Sequence, residues 1–366
     1  MMNCELRQLN TFIKSCSTSN AAIKNTASPI PKEGWYPAYS ASGQDVWLPE
    51  YRYSGKGIVV SAVGARCGKC FQADGKWNVT ANTHVLLVDE SIADYKYCWY
   101  LLNNENWWIK SGSGQPFVKV KDSLNRSILL PDLSTQQNIA TILDKISEGI
   151  ALCRKMMDEL DLMVKAKFGE MFGNIPETEF VTMGSVCSLI TDGTHQPPKF
   201  VDSGIPFLFV SNITTNMLTY NAEKFISAET YAELMKRTPV EIGDILLSTV
   251  GSYGHPAIVK SNKQFSFQRH IAFLKPRHNI IDSTFLHSAI LTAGVQRQIE
   301  AKVKGIAQKT LNLSEIRTLR FPLPPLQEQE RYAALVKNIN KSKLTIQEIR
   351  DKMETEKLAL MQEYFG

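Results

Sequence analysis

The feature that most constrains this chain is that one stretch of it occurs twice. Slid forward by 193 residues, Gln115 to Gly173 lies on Gln308 to Gly366 without a gap, and 12 of the 59 positions are identical. Leu130/Leu323, Pro131/Pro324, Leu133/Leu326, Gln136/Gln329, Ala140/Ala333 and Phe172/Phe365 are among them. Chance similarity between helical segments does not hold one register over that length and then finish on the same Glu-x-Phe-Gly. The chain is a tandem duplication.

Each copy reads as a turn followed by a long helix. Pro131 cannot continue a helix backwards, and Ser134 with Gln137 three residues later fits a capping box, so a helix is predicted to begin there. Beyond it Ile139, Leu143, Ile146, Ile150, Cys153, Met157, Leu160 and Val164 alternate steps of four and three, the seam of a coiled coil. The second copy keeps Val336, Ile339, Ile346, Met353 and Leu360 but places Lys343, Arg350 and Lys357 between them. Some of its contacts are therefore expected off the strict register, through Ile349 for example. From Ser134 to Met171 an unbroken rod at roughly 1.5 Å per residue spans on the order of 55 Å. Matching length and register predict an intramolecular antiparallel pair rather than two unrelated surface helices.

At 366 residues with 43% hydrophobic content the chain is long enough for two or three domains with cores of their own. No run of 18 apolar residues exists, and Met1 to Asn10 is polar rather than signal-like, which predicts a soluble, cytoplasmic protein. Seven cysteines without framework spacing fit a reducing compartment. A net charge of +5 is too mild to make a nucleic-acid binder by itself.

Residues 1–114 have the texture of strands and turns: short apolar or alternating runs such as Gly57 to Gly64 and Thr83 to Val88, broken by Gly, Pro, Asn and Ser. One helix is predicted from about Ile92 to Asn106, and its aromatic residues read as core. Residues 175–307 repeat that plan more loosely. Gly34-Trp35-Tyr36-Pro37 answers to Gly204-Ile205-Pro206-Phe207, Ile58 to Gly64 answers to Ile245 to Gly251, and His84 to Leu87 answers to His270 to Phe273; the helical tract has a partner near Ser283 to Val303. The expected fold is α+β: a mixed domain (1–114), a long helical segment (115–174), a second domain (175–307) and a second helical segment (308–366). The helical segments are alike and the domains have diverged, so the chain holds two different readers.

These residues carry a resemblance. Leu-Pro-x-Leu-x-x-Gln opening a long helix at Leu130 and at Leu323, Phe168-Gly169-Glu170-Met171-Phe172-Gly173 closing the first helix, and the loop Asp192-Gly193-Thr194-His195-Gln196-Pro197-Pro198 resemble the specificity subunit of type I restriction-modification systems, over essentially the whole chain. The first domain departs from the pattern, with Cys16-Ser17-Thr18-Ser19 where the Asp-Gly-Thr-His loop would stand. The resemblance implies a DNA-reading scaffold without chemistry of its own. Each target-recognition domain would read one half of a bipartite asymmetric site in double-stranded DNA, and the helices would fix the spacer. It also implies two methyltransferase subunits docked on the helices, with S-adenosylmethionine, and restriction subunits with ATP and magnesium; these cofactors belong to the partners. Half-sites on one face of DNA recur at roughly 34 Å, a separation that a rod can set and a flexible linker cannot. The alternative within the family is a structural adaptor or inactive variant that reads nothing.

An enzyme reading finds little support. The Pro-Pro pairs at Pro197 and Pro324 lack the Asn/Asp before them and the Tyr/Phe after them that adenine methylation requires. Gly64-Ala65-Arg66-Cys67-Gly68-Lys69-Cys70 is one residue short of a phosphate-binding loop and lacks its Ser or Thr. Cys67 and Cys70 form a lone Cys-x-x-Cys, short of a zinc site. No spacing among His84, His195, His255 and His270 suggests a triad or a metal centre. For DNA contact, base-reading and phosphate-holding residue types in Gly-rich turns favour Ser42, Arg66, Lys69, Asn82 and Thr83 in the first domain. In the second they favour Thr194, His195, Gln196, Lys199, Ser211, Asn212, Ser252, Tyr253, Gln268 and Arg269. The turns after Gly64 and Gly251 are the strongest pair, since the duplication would place both on the same face of a pseudo-twofold assembly.

Overall fold

The computed structural model describes residues 4–17, 27–305 and 309–366. Thr18, Ser19 and Gln308 of the sequence reading lie outside them. The chain divides into two compact units, Met1–Cys153 with Ile349–Gly366, and Arg154–Glu348.

The first unit opens with strands β1 (Cys4–Gln8), β2 (Ile13–Ser17), β3 (Tyr36–Ser40), β4 (Gly43–Leu48) and β5 (Tyr53–Ser54). Then come β6 (Gly57–Ser61), β7 (Cys70–Ala73), β8 (Lys76–Val79), β9 (Thr83–Val88) and helix α1 (Tyr95–Leu102). The unit continues through β10 (Lys110–Ser111), β11 (Phe117–Val118), α2 (Val120–Leu124) and β12 (Ser127–Pro131) into helix α3 (Leu133–Phe172). Its sheets run β2-β9-β6-β7 and β4-β3-β8-β5, with β1 and β12 as a separate antiparallel ribbon. β6 is buried at every residue because it is a central strand covered on both faces, which explains its unbroken Ile58-Val59-Val60 run.

The second unit repeats the core of this plan, without counterparts of β5, β10 and β11. Its elements are β13 (Phe180–Thr182), α4 (Met183–Val186), β14 (Cys187–Asp192), β15 (Phe200–Val201), β16 (Ile205–Leu208) and β17 (Lys224–Ile226). They continue with α5 (Ala228–Met235), β18 (Ile245–Ser248), β19 (Pro256–Ile258), β20 (Ser266–Phe267), β21 (Ile271–Pro276) and α6 (Ser283–Ile290). After α7 (Ala293–Lys302), α8 (Leu313–Arg317) and β22 (Arg320–Pro322) comes the second long helix, α9 (Leu326–Phe365). The sheets are β14-β21-β18-β19 and β15-β17-β16-β20, with the ribbon β13-β22. Even the parallel pair recurs, β3 with β8 and β16 with β20.

Four sequence expectations change. Helix α3 starts at Leu133, two residues earlier than a Ser134 cap allows, because Asp132 caps it by accepting from Thr135 N at 2.9 Å. The predicted helix at Ile92 to Asn106 is only α1, capped by Asp94, whose carboxylate accepts from Tyr97 N. Ile349, expected to contribute to the seam, is 43% exposed. The His84/His270 alignment slips by two: Val60 pairs with His84, while the equivalent Leu247 pairs with Ala272, so His270 answers to Asn82. A slip of two keeps side chains on the same face, so apolar alternation alone could not detect it.

The long helices are antiparallel within each unit. In the first, Lys357 Nζ donates to Ser147 Oγ at 2.7 Å, and Gly149 faces Met353, four residues back along α9. In the second, Lys343 Nζ meets Asp161 Oδ1 at 2.6 Å, while Tyr332, eleven residues earlier, packs on Phe168 and Phe172. Lys343 and Lys357 thus find polar partners across the pair, while Arg350 pairs with Asp351 at 3.2 Å on its own helix. The aromatic residues of α1 are core, as read, with Tyr95, Tyr97 and Tyr100 buried against Ile139, Ala140 and Leu143 of α3. Cys67 and Cys70 are buried in that core. Among the described residues no helix is long and apolar enough to cross a membrane, and no cluster of metal-ligating side chains is found.

Candidate nucleic-acid interface

In the first unit the candidates gather where β6 ends and β7 and β9 begin. Ala62 N donates to Asn82 O at 2.9 Å, Gly68 N to Ser61 O at 2.8 Å and Lys69 N to Arg66 O at 3.1 Å, which closes a tight turn. Gly64 and Gly68 sit at φ 98 and 94, a region that costs an L side chain energy. At Gly68 a Cβ would also come within 2.7 Å of the Trp108 ring. The turn holds Arg66 exposed and Lys69 half-buried, with Nζ 6.0 Å from the centre of the Phe71 ring. The same ring lies against Gly43, next to exposed Ser42, so the β3–β4 hairpin tip joins Arg66, Lys69 and Asn82. Thr83 does not belong to this set. It is 2% exposed and its hydroxyl donates to Thr80 O at 2.8 Å, because it occupies an inward position of central strand β9. His84 is half-buried, and burial lowers its pKa.

The equivalent end of the second unit is more closely laced. Thr194 N donates to Phe267 O and Arg269 N to Thr194 O, both at 3.1 Å, and Gly193 N donates to Ile271 O at 3.2 Å. Gly193 allows this approach, since a Cβ there would lie 2.2 Å from Phe267 O. The lacing presents His195, Gln196 and Arg269 exposed, with Gln268 half-buried between them. His195 Nε2 is 2.8 Å from Asp192 Oδ2, and Arg237 grips the other oxygen of that carboxylate. His270 is lowered in pKa by burial and by neighbouring Arg269. The turn after β18 arrives beside them through Thr249 N, which donates to His270 O at 3.0 Å, and carries Ser252 exposed and Tyr253 half-buried. Gln268 N donates to Leu208 O at 3.2 Å, which brings the end of β16 and exposed Ser211 to the same edge.

Two further candidates fall outside the group. Asn212 is 5% exposed and its amide is spent internally: Oδ1 accepts from Phe209 N and Nδ2 donates to Asn221 O, both at 2.9 Å, so it shapes the loop rather than facing out. Lys199 stands at the entry to edge strand β15, with β17 and β16 between it and β20. The sequence reading missed Arg237, which follows a helix without buried residues and offered no periodic signal. Asp192 was visible in its motif, yet only the geometry shows it holding His195.

The two turns are closed in the same way. Gly64 N donates to Pro116 O at 2.9 Å, and Gly251 N to Lys309 O at 3.3 Å, and the two acceptors correspond under the 193-residue shift. The chain therefore presents two loop clusters built on one scaffold and armed differently: Arg66 and Lys69 against His195, Gln196, Gln268 and Arg269. Such side chains in rigid turns can donate to phosphates and to base edges.

The family model for the type I restriction modification DNA specificity domain matches residues 10–162 and 177–355. The chain is similar to the type I restriction enzyme EcoBI specificity subunit of Escherichia coli, at 30% identity over 147 residues, 40% of this chain and 31% of that one. It is similar to the MjaVIII specificity subunit of Methanocaldococcus jannaschii at 24% identity over 303 residues, 76% of this chain and 70% of that one. The match to the Escherichia coli relative thus spans about a third of that protein's length. In fold it resembles the S subunit of the type I restriction-modification system from M. genitalium, with a TM-score of 0.63 at 14% identity over 100% of this chain and 96% of that one. A second solved chain, from a study of assembly and conformational transition in the type I system, gives a TM-score of 0.58 at 16% identity, covering 99% and 97%.

Proposed function

The chain belongs to the type I restriction modification DNA specificity family, and from that membership we propose that it is the sequence-reading subunit of a cytoplasmic type I complex and has no catalytic role of its own. Each unit reads one half of a bipartite site in double-stranded DNA, through Ser42, Arg66, Lys69 and Asn82 in the first and through Thr194, His195, Gln196, Ser211, Ser252, Tyr253, Gln268 and Arg269 in the second. Domain limits at 1–114, 115–174, 175–307 and 308–366 go with this reading: recognition domains alternate with helical segments that dock two methyltransferase subunits. S-adenosylmethionine would be bound by those subunits, and ATP with magnesium by restriction subunits where present.

The observation that carries the proposal is the pair of loop clusters on one repeated scaffold, alike in backbone and unlike in side chains. A structural adaptor has no need of two differently armed copies. The test is methylome sequencing of cells carrying this chain with its methyltransferase, against cells lacking the chain. A bipartite adenine-methylated motif that appears only with the chain supports the reading, and exchanging residues 1–114 should then alter one half of the motif. A stable complex with the methyltransferase that leaves no motif would favour the adaptor.

A further inference from the structure

Gln136 and Gln329, 193 residues apart, are polar side chains with no solvent exposure. In the first unit Gln136 Oε1 accepts from Asp94 N at 2.8 Å, and Nε2 donates to Pro131 O at 2.8 Å and faces Ile92 O at 3.4 Å. In the second unit Gln329 Oε1 accepts from Asp282 N at 2.9 Å, and Nε2 donates to Pro324 O at 2.8 Å and Ile280 O at 3.1 Å. Asp94 and Asp282 are the N-caps of α1 and α6. Each amide thus ties the entry and first turn of a long helix to the start of the short helix beside it.

Only an uncharged amide donates twice and accepts at this reach. Glu would turn a second acceptor toward two carbonyls, and an apolar residue would leave three buried backbone groups short of a partner, at about 1–3 kcal/mol each. A satisfied buried network of this kind holds one orientation, so it fixes the angle at which α1 meets α3 and α6 meets α9. Core packing alone is less directional, because apolar contacts slide at low cost.

We propose that Gln136 and Gln329 are positioning residues for half-site spacing: each locks its reading domain on its long helix, so that the complex accepts one separation between half-sites. The inference rests on the DNA-reading function proposed above. Small angles matter here. A compact unit of about 150 residues has a radius of gyration near 15 Å and an outer radius of about 19 Å, so a swivel of about 10° moves its surface by about 3.4 Å, the rise of one base pair.

The test uses the full chain with its methyltransferase subunits. Once the motif is known, methylation rates are measured on duplexes with the native spacer and with spacers one base pair shorter and longer. Gln136→Met and Gln329→Met keep the side-chain length and remove the hydrogen bonds. Each is expected to raise the rate on altered spacers relative to native by about tenfold or more, with both half-sites still required. A residue that only stabilises the core would lower all rates together and leave the spacing preference unchanged, which overturns the proposal. Should the Met variants fail to fold, Gln136→Asn and Gln329→Asn, one methylene short, are read in the same way; failure of these too assigns the amides to core stability and also overturns it. A wild-type chain that yields no motif counts against the proposed function, not against the joint.

Discussion

Replacing Gly193 by alanine should separate the two loops that form the second reading end. A Cβ there would lie 2.2 Å from Phe267 O and 2.4 Å from Gln268 O, against the roughly 3.0 Å that is tolerable, and both neighbours are backbone. The loops must part by nearly an ångström, and three hydrogen bonds link them: Gly193 N to Ile271 O, Thr194 N to Phe267 O and Arg269 N to Thr194 O. At about 0.5–1.5 kcal/mol each, losing them sets a ceiling of about 1.5–4.5 kcal/mol. The segment is at the surface and can relax, so about 1–2 kcal/mol should remain in the complex, a loss of about 5- to 30-fold in affinity for the full site. Binding of the variant, with its methyltransferase, is measured on duplexes carrying both half-sites, the first only and the second only. Discrimination should fall for the second half-site and persist for the first. Gly294→Ala is the control, since a Cβ there meets open space. Wild-type affinity and discrimination in Gly193→Ala would remove this loop from the reading end.

Phe172→Ala should destabilise the second unit by about 3–5 kcal/mol in urea unfolding, since Phe172 is 3% exposed and meets the rings of Phe168, Phe285 and Tyr332. Its repeat mate Phe365 is half-buried with one ring contact, to Tyr97, so Phe365→Ala should cost less; equal losses would refute the comparison. Gly169→Ala, at an open position inside α3, should stabilise by up to about 1 kcal/mol by calorimetry, and any loss would reveal a contact the structure lacks. Arg269→Ala should leave the melting temperature unchanged and weaken binding through the second half-site by about 1–3 kcal/mol, while Asn212→Ala should lower the melting temperature first. Burial lowers the pKa of His287, whose Nε2 hydrogen-bonds to Asn216 O and Pro256 O. The unfolded chain therefore takes up a proton at this site before the folded one does, so the contribution is complete above about pH 6.5 and declines below it. His287→Gln should flatten that part of the stability profile, and an unchanged slope would assign it elsewhere.

How much was legible in advance depended on whether a residue's partners lie near it in the chain. The long helices were readable because steps of three and four state their own geometry, and the duplication supplied the antiparallel pairing. The cap was misread because Asp132 and Ser134 are both acceptable capping residues, and only the backbone decides that Asp132 reaches Thr135 N rather than Ser134 reaching Gln137 N. Thr83 and Asn212 have the residue types of DNA contacts, yet types do not reveal whether an amide or hydroxyl is already spent on a loop. Arg237 is 45 residues from Asp192, a separation at which no periodicity carries information.

The pattern of identity between the two copies now has a physical reading. Gln136/Gln329 join long helix to short helix, Ala140/Ala333 lie one residue beyond Ile139 and Tyr332, which enter the two cores, and Phe172/Phe365 close the helix ends. Each is constrained by partners within its own unit, so a change at one copy requires compensation on several elements at once. The reading ends escape this constraint. Arg66, Lys69, Gln196 and Arg269 project from turns whose backbone hydrogen bonds are made by N–H and C=O groups, which any residue other than proline supplies at the donor positions. Side chains there can change without disturbing the turn, provided that Gly64, Gly68 and Gly193 keep the backbone where it is. A duplicated chain of this construction can alter what it contacts while preserving how each contact surface is mounted. That division predicts that exchanges of tip residues between related chains will keep the spacing preference, whereas exchanges that mismatch the glutamine joint will loosen it.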